Sequence, residues 1–185
     1  MKKIILASGS PRRKELLALA GIEFTVKAAD TDETVPADIP PDEAVKLLSK
    51  RKAHAAAELV KDAVIIGADT VVSVDGRILG KPQSAEEAYN MLSSLSGRSH
   101  NVFTGVCITD GEKEICFCEK TEVAFFELTD EEIQSYIATG DCFDKAGGYG
   151  IQSKGCTLVK RICGDYFNVV GLPIAETVRK LKNFY

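Results

Sequence analysis

The sequence has few of the features that place a protein in a membrane, in a secretory pathway or on a nucleic acid. Its apolar runs stay well short of the roughly 20 residues that a membrane-spanning helix needs, and its first residues turn polar too quickly for a signal peptide. The formal net charge of -4 argues against binding of nucleic acid through a broad basic face. These absences predict a cytoplasmic protein without nucleic-acid or membrane partners.

Histidine is scarce, because the chain contains only two, His54 and His100. A histidine-rich metal centre or a histidine-dependent triad is therefore not expected, and we expect His100 to order its loop by hydrogen bonding. The six cysteines are expected to be free thiols, since nothing indicates secretion. Cys116 and Cys118 alternate within a strand-like run, and a C-x-C pair without a partner cluster or a nearby histidine favours core packing over metal binding.

Length and composition fit one globular domain over residues 1–185, with 45% hydrophobic and 27% charged residues. Apolar periodicity, capping boxes and turn signals predict the elements. Helices are predicted at 11–20, 42–60, 84–95, 129–140 and 173–182, and a proline-marked turn at 36–41. Strands are predicted at 3–7, 22–28, 63–68, 71–74, 77–79, 99–109, 112–126, 157–162 and 167–170.

The stretch from Ser8 to Arg13 indicates an anion-binding turn between the first strand and the first helix. Ser10 suits the N-cap and Pro11 the first helical position. Arg12 and Arg13 then lie in the first turn, where the helix dipole disfavours a cation by ~0.3–1 kcal/mol. A phosphate-bearing ligand would offset that cost. Taken alone, the turn fits two solvated surface arginines equally well.

Further charged residues add to this anion site. An acidic loop makes Asp32 or Glu33 a candidate metal ligand facing the arginine turn. Lys52 falls in the inward stripe of the second helix, where a lysine either extends its ammonium group to an edge or meets a buried anion, and the charged neighbours favour the second. Asp69 is predicted at the carboxyl end of a buried strand, where α/β sheets bind ligands. A hairpin then returns Lys81 beside it.

The segment 144–152 has three glycines among bulky and charged residues. It matches neither a Walker loop nor the GxGxxG pattern. We interpret it as a loop whose backbone approaches a ligand. Asp144 and Lys145 within it receive no role.

The order of these motifs resembles the Maf proteins, which are nucleoside triphosphate pyrophosphatases. The resemblance runs from Ile4 to Pro173 and rests on the segments SGSPRR, Asp32-Glu33, Lys52-Ala53, GADTVV, Gly80-Lys81-Pro82, SGRSHNVFTG, DKAGGYGIQ and NVVGLP. It implies an α/β fold similar to that of the inosine triphosphate pyrophosphatases. Such a fold has an elongated mixed sheet flanked by helices, with two lobes that form a nucleotide cleft.

The resemblance also implies hydrolysis of a nucleoside triphosphate to the monophosphate and pyrophosphate, assisted by Mg²⁺ or Mn²⁺. The ending GGYGIQ is similar to the branch that acts on dTTP and UTP. The implied catalytic residues are Asp69 as proton acceptor, Glu33, Lys52 and Lys81, with Glu33 and Asp69 as metal ligands. The implied substrate-binding residues are Ser8, Ser10, Arg12, Arg13, Thr70 and Gln152, of which Arg12, Thr70 and Gln152 match specificity positions.

Two other functions stay open at this point. The substrate could be 7-methyl-GTP, as in the sister branch, or another modified nucleotide. The chain could also be a nucleotide-binding regulator of septation without turnover, although paired carboxylates beside a phosphate site favour an enzyme. The sequence leaves the oligomeric state open between a monomer and a homodimer.

Overall fold

The computed structural model describes residues 2–36 and 38–185, so that Met1 and Ala37, the latter within the predicted proline-marked turn, lie outside the described residues. The strands are β1 (Lys3–Leu6), β2 (Thr25–Val26), β3 (Ala63–Val74), β4 (Arg77–Leu79), β5 (Ser99–Thr109), β6 (Glu114–Phe125) and β7 (Val159–Cys163). The helices are α1 (Pro11–Leu19), α2 (Pro41–Leu59), α3 (Ala85–Leu95), α4 (Asp130–Ala138), α5 (Tyr166–Val170) and α6 (Ile174–Leu181).

The strands form one seven-stranded mixed sheet in the order β2-β1-β3-β5-β6-β7, with β4 paired to β3. β1 runs parallel to β2 and to β3, whereas the remaining pairs are antiparallel. Helices cover the sheet, which confirms the predicted α/β class with a mixed sheet. Among the described residues, no helix is both long enough and apolar enough to cross a membrane.

One edge of β3 is interrupted at its centre. Its first part pairs with β1 as far as Ile66, opposite Leu6, and its last part pairs with β4 from Val72, opposite Leu79. Between these two pairings, residues 67–71 have no strand on that edge within the described chain. On the other edge, β5 pairs with β3 across this region. Gaps of this kind between neighbouring strands are where open α/β sheets form ligand crevices.

Helix α2 lies very close to one face of the sheet. A Cβ atom added to Gly67 would come within 2.3 Å of the Ser49 carbonyl oxygen, and one added to Gly105 within 2.3 Å of the Val45 carbonyl oxygen. The two glycines therefore allow the helix backbone to approach β3 and β5. This approach brings side chains of α2 to the gap in β3.

Two hydrophobic clusters form the rest of the core. One joins Ile66 on β3 to Leu17 of α1 and Leu181 of α6. The other joins Val72 on β3 to Leu92 of α3. Both β3 residues lie on the face away from α2, because successive side chains of a strand alternate between faces. The clusters thus hold the two halves of β3 on either side of the gap.

The predicted final hairpin is wrong in its second half, because residues 167–170 belong to helix α5. The Asp165 side chain accepts a hydrogen bond from the Phe167 amide at 2.8 Å and caps the helix. Gly171, with φ of 124°, then ends it. A short apolar run fits a strand or a buried helix equally well, so the cap decides.

The predicted end of a strand at Asp69 is also wrong. β3 continues through Asp69 to Val74, because its hydrogen bonds to β5 extend across that position. The second strand spans only Thr25–Val26, because only these two residues pair with β1.

All six cysteines are free thiols, as predicted, but Cys116 is exposed instead of packed in the core.

Candidate active site

A cleft of about 1280 Å³ opens at the gap in β3. The residues predicted from the sequence for catalysis and substrate binding all line it: Ser8, Ser10, Arg12, Arg13, Glu33, Lys52, Asp69, Thr70, Lys81 and Gln152. The fold therefore brings together positions from six separate segments of the chain.

Asp69 and Thr70 are adjacent in β3 and point to opposite faces of the strand. Asp69 lies on the face covered by α2, where its carboxylate meets Lys52. The Thr70 hydroxyl instead contacts Arg13 and Thr104, at 3.0 and 2.9 Å. Both residues line the same cleft because the missing neighbour strand opens it to the two faces. The gap, and not the end of a strand, thus positions Asp69.

Lys52 lies between two carboxylates. Its Nζ atom is 2.6 Å from Asp69 Oδ1 and 2.7 Å from Glu33 Oε1, and its side chain is only 16% exposed. The hydrogen bond from Lys52 lowers the pKa of Glu33, and the positive charges of Lys52, Lys81 and Arg13 add to this effect. The prediction that Lys52 meets a buried anion is confirmed.

The same two carboxylates can be tested as ligands of a divalent metal. Mg²⁺ is commonly held by one or two carboxylates, with waters and substrate phosphate oxygens filling its other positions. Glu33 and Asp69 meet that requirement, because both contact the single ammonium group of Lys52. Within residues 2–36 and 38–185, no third His, Cys, Asp or Glu side chain joins them at metal-binding distance. The donor set is therefore suited to a hard cation that completes its coordination with phosphate and water.

Arg13 forms a fixed positive wall of the cleft. Its Nε donates to the Gly171 carbonyl at 2.8 Å, its Nη1 to Ser8 Oγ at 3.1 Å and its Nη2 to Thr70 Oγ1 at 3.0 Å. Burial of the guanidinium lowers the pKa of Arg13, an effect that Asp69 opposes, but an arginine remains charged in proteins. The Gly171 carbonyl was not predicted, although the NVVGLP segment contains it.

Ser10 occupies the N-cap position of α1 but makes no capping hydrogen bond with its side chain. Its amide donates to Ser8 Oγ at 3.3 Å instead. The amides at the start of α1 are therefore available to an anionic ligand, as expected for a helix N-terminus that binds phosphate.

Arg12 extends to the loop that follows α4. Its Nη1 is 3.1 Å from Asp144 Oδ2, and Lys145 Nζ is 2.6 Å from the other carboxylate oxygen of Asp144. Partial burial raises the pKa of Asp144, but hydrogen bonds from Lys145 and Arg12 outweigh it and lower the pKa overall. Arg12 is thus held by protein groups at the rim of the cleft.

Lys145 is a buried lysine that organises this loop. Its Nζ donates to the Asp141 carbonyl at 2.7 Å and to Asp141 Oδ1 at 3.0 Å. The second carboxylate oxygen of Asp141 accepts from Ser153 at 2.5 Å and from Tyr136 at 2.9 Å. The sequence assigns no role to these residues. The available signal was the i,i+4 spacing of Asp141 and Lys145.

The glycines of the loop allow close approach to the protein itself. A Cβ at Gly147, where φ is +70°, would lie 2.9 Å from the Val72 side chain, and one at Gly150 would lie 2.4 Å from Lys145 Cε. Val72 and Lys145 therefore account for the glycines at positions 147 and 150, and the approach of this loop to a ligand stays a prediction. Gln152, at the end of the loop, faces the cleft.

His100 fastens the same loop from β5. Its Nε2 atom and the Tyr149 hydroxyl are 2.7 Å apart, which confirms the expected hydrogen-bonding role. Burial lowers the pKa of His100 from 6.5 to about 4. The ring is therefore neutral near pH 7 and acts as a structural partner of Tyr149.

Comparisons with known proteins give matches over almost the whole chain. The family model described as Maf-like protein matches residues 3–184. A curated dTTP/UTP pyrophosphatase from Bacillus cytotoxicus is 55% identical over 184 residues, which cover 100% of this chain and 96% of that protein. A dTTP/UTP pyrophosphatase from Bacillus cereus is 54% identical over the same length, with the same coverage of both chains.

A solved structure is similar over part of the fold. The Staphylococcus aureus Ham1 protein matches with a TM-score of 0.48 and 18% sequence identity. The match covers 67% of this chain and 72% of that chain. It carries no conclusion about the site.

Proposed function

Since this chain belongs to the Maf-like protein family, we propose that it hydrolyses nucleoside triphosphates, with dTTP and UTP as its main substrates, to the monophosphate and pyrophosphate. Residues 1–185 act as one catalytic domain in this reaction. The observation that carries it is a single cleft in which two carboxylates adjoin the basic side chains of Arg12, Arg13, Lys52 and Lys81.

The basic side chains are suited to the triphosphate tail. Phosphoryl chemistry depends on positioning and on neutralisation of the charge that develops on the leaving group, here pyrophosphate. Arg13 is pre-organised for this task by its hydrogen bonds to Ser8, Thr70 and Gly171. Ser8 and Ser10 lie at the start of α1, where backbone amides add further donors. Arg12 and Lys81 complete the binding of the phosphates.

Asp69 is the proposed proton acceptor. A water molecule attacks the α-phosphorus, its proton passes to the Asp69 carboxylate, and the bond from the α-phosphorus to the pyrophosphate oxygen breaks. Lys52 orients Asp69 and Glu33 through the two short contacts described above. A bound Mg²⁺ or Mn²⁺, held by Glu33 and Asp69, would neutralise phosphate charge and lower the pKa of its bound water.

Gln152 and Thr70 select the nucleobase of the substrate. Arg12 contributes both to binding of the triphosphate tail and to selection of the base. A glutamine amide offers one acceptor and two donors, which suits the N3–H donor and the O4 acceptor of thymine or uracil. Thr70 lies between the base-binding and phosphate-binding residues, because its hydroxyl accepts a hydrogen bond from Arg13 Nη2 at 3.0 Å.

A nucleotide panel tests the proposal. Purified protein is assayed for pyrophosphate release from dTTP, UTP, CTP, GTP and 7-methyl-GTP, with Mg²⁺ and with Mn²⁺ in parallel. We expect dTTP and UTP to give the highest kcat/KM. A preference for 7-methyl-GTP would contradict the assigned substrates. Nucleotide binding without pyrophosphate release under either metal would contradict the enzymatic function and favour a regulator.

A further inference from the structure

A second cluster of metal-ligating side chains lies on the sheet face beneath α2. Cys107 on β5 and Cys116 on β6 are direct cross-strand partners, and Glu114 lies two residues before Cys116 on the same face of β6. One ligand atom from each residue lies within 4.8 Å of the other two. Among the described residues, no other three His, Cys, Asp or Glu side chains come this close together. Cys107, Glu114 and Cys116 are not among the described residues that line the nucleotide cleft.

Helix α2 holds the carboxylate of this cluster from above. Lys50 Nζ is 2.6 Å from Glu114 Oε1, and His54 Nε2 contacts the other oxygen of the same carboxylate. Lys50 and His54 are one helical turn apart, so both reach Glu114 from one side of α2. The sequence showed only a C-x-C pair, whereas the fold adds the thiol partner and the nearby histidine that this pair lacked.

The cluster has one fixed and one accessible thiol. Cys107 is fully buried and packs with Ala53 of α2 and Ile65 of β3. Cys116 is exposed, and the Glu114 side chain is 29% exposed. A cation from solvent can therefore reach Cys116 and Glu114 first and then contact a sulfur whose position is set by the central strands.

We propose that Cys107, Cys116 and Glu114 form a binding site for a thiophilic divalent cation, with Zn²⁺ as the ion that fits best. Zn–S and Zn–O bonds of about 2.3 and 2.0 Å in a tetrahedral site place ligand atoms roughly 3.3–3.8 Å apart. The ligand atoms, now within 4.8 Å of one another, therefore have to move closer by up to roughly 1–1.5 Å when the ion binds. The fourth position is left to water.

Charge and ligand type support the assignment. Two thiolates and one carboxylate around a dication leave one negative charge, which the Lys50 ammonium offsets. Lys50 and His54 orient the ligating carboxylate, as outer partners of metal ligands commonly do. Thiolates select Zn²⁺ over Mg²⁺, whereas the paired carboxylates of the cleft suit Mg²⁺ or Mn²⁺. The two sites therefore take different classes of cation, and this inference does not depend on the proposed hydrolysis.

Cobalt serves as a spectroscopic probe of the site. The full chain is reduced, freed of metal with a chelator and titrated with Co²⁺, which is then displaced by Zn²⁺. We expect one thiolate-bound Co²⁺ per chain, recognised by a thiolate-to-cobalt charge-transfer band and by the visible bands of tetrahedral cobalt, which an ion held by the carboxylates of the cleft does not give. In Cys116→Ser the charge-transfer band is lost or appears only at much higher Co²⁺ concentrations. Glu114→Gln weakens Co²⁺ binding by at least about tenfold.

The control variant is Cys163→Ser, which removes an exposed thiol on β7 and should bind Co²⁺ as the wild type does. Circular dichroism checks that each variant is folded. The proposal is overturned if the reduced wild type gives no charge-transfer band, or if Cys116→Ser gives the same band at the same Co²⁺ concentration. It is also overturned if Cys107 and Cys116 only form a disulfide on oxidation and bind no metal when reduced.

Discussion

His100 makes the folding stability depend on pH in a way that can be worked out from its surroundings. The ring is 1% exposed and lies edge-on to Phe125 and Tyr149, with centroids 4.9 and 5.4 Å away. Its Nε2 contacts the Tyr149 hydroxyl, and its Nδ1 has no partner among the described residues. Protonation would place a charge in this apolar site, so burial lowers the pKa of His100 from 6.5 to about 4.

The sign of the effect follows from proton uptake by the two states. Between pH 6.5 and about pH 4, the unfolded chain binds a proton at His100 and the folded chain does not. Stability therefore falls as the pH is lowered through this window, and the full contribution is present above it. At ~1.36 kcal/mol per pKa unit, the loss amounts to about 3 kcal/mol of the free energy of unfolding.

Urea unfolding at neutral pH and near pH 4 measures this loss. We expect His100→Gln to reduce the difference between the two pH values by about 3 kcal/mol relative to the wild type. His54→Gln is the matched control, because the His54 side chain is 50% exposed and this variant retains the His100 contribution. NMR titration of the wild-type histidines gives the pKa of His100 directly. A value at or above 6.5 would refute the reasoning.

Three further predictions concern packing and charge. Gly105→Ala places a Cβ 2.3 Å from the Val45 carbonyl oxygen, so urea unfolding should show a loss of about 2 kcal/mol. Lys145→Met deprives the Asp141 carboxylate of its ammonium partner, and the same measurement should show a loss of roughly 2 kcal/mol. Lys52→Met should lower the rate of pyrophosphate release by about 100-fold. An unchanged value in any of these measurements would contradict the role given to that residue.

Elements with local signals could be predicted from the sequence. The Asp75-Gly76 turn has positive φ at both residues, 52° and 76°, as a tight hairpin requires. The capping box at the start of α4 is complete, with Thr129 and Glu132 each bonded to the other's backbone amide. Such signals depend on residues a few positions apart, so no knowledge of tertiary structure is needed.

Parts of the site that depend on strand register could not be predicted in this way. The gap at residues 67–71 exists because β1 and β4 pair with different parts of β3. The pairing of Cys107 with Cys116 likewise requires the register between β5 and β6. The motifs predicted which residues line the cleft, but they could not show that the side chains of Asp69 and Thr70 point to opposite faces of β3.

The helical period did predict one tertiary contact. Lys52 falls in the inward stripe of α2, and the structure places its Nζ 2.6 Å from Asp69 Oδ1. Lys145 gave only its i,i+4 spacing from Asp141 as a signal, because it lies in an irregular loop where no period indicates which side chain points inward. Its ammonium group contacts Asp141 and Asp144 of the same loop, and this loop packs against Val72 of β3 at Gly147.

The central claim is that Asp69 accepts the proton of the attacking water, and pyrophosphate release from dTTP by wild type and Asp69→Asn tests it most directly. The isosteric change keeps the shape of the side chain while removing its charge. With metal concentration matched and dTTP binding measured separately, we predict a loss of at least about 100-fold in kcat, while the variant remains folded and binds dTTP. Release at a rate near that of the wild type would contradict the claim.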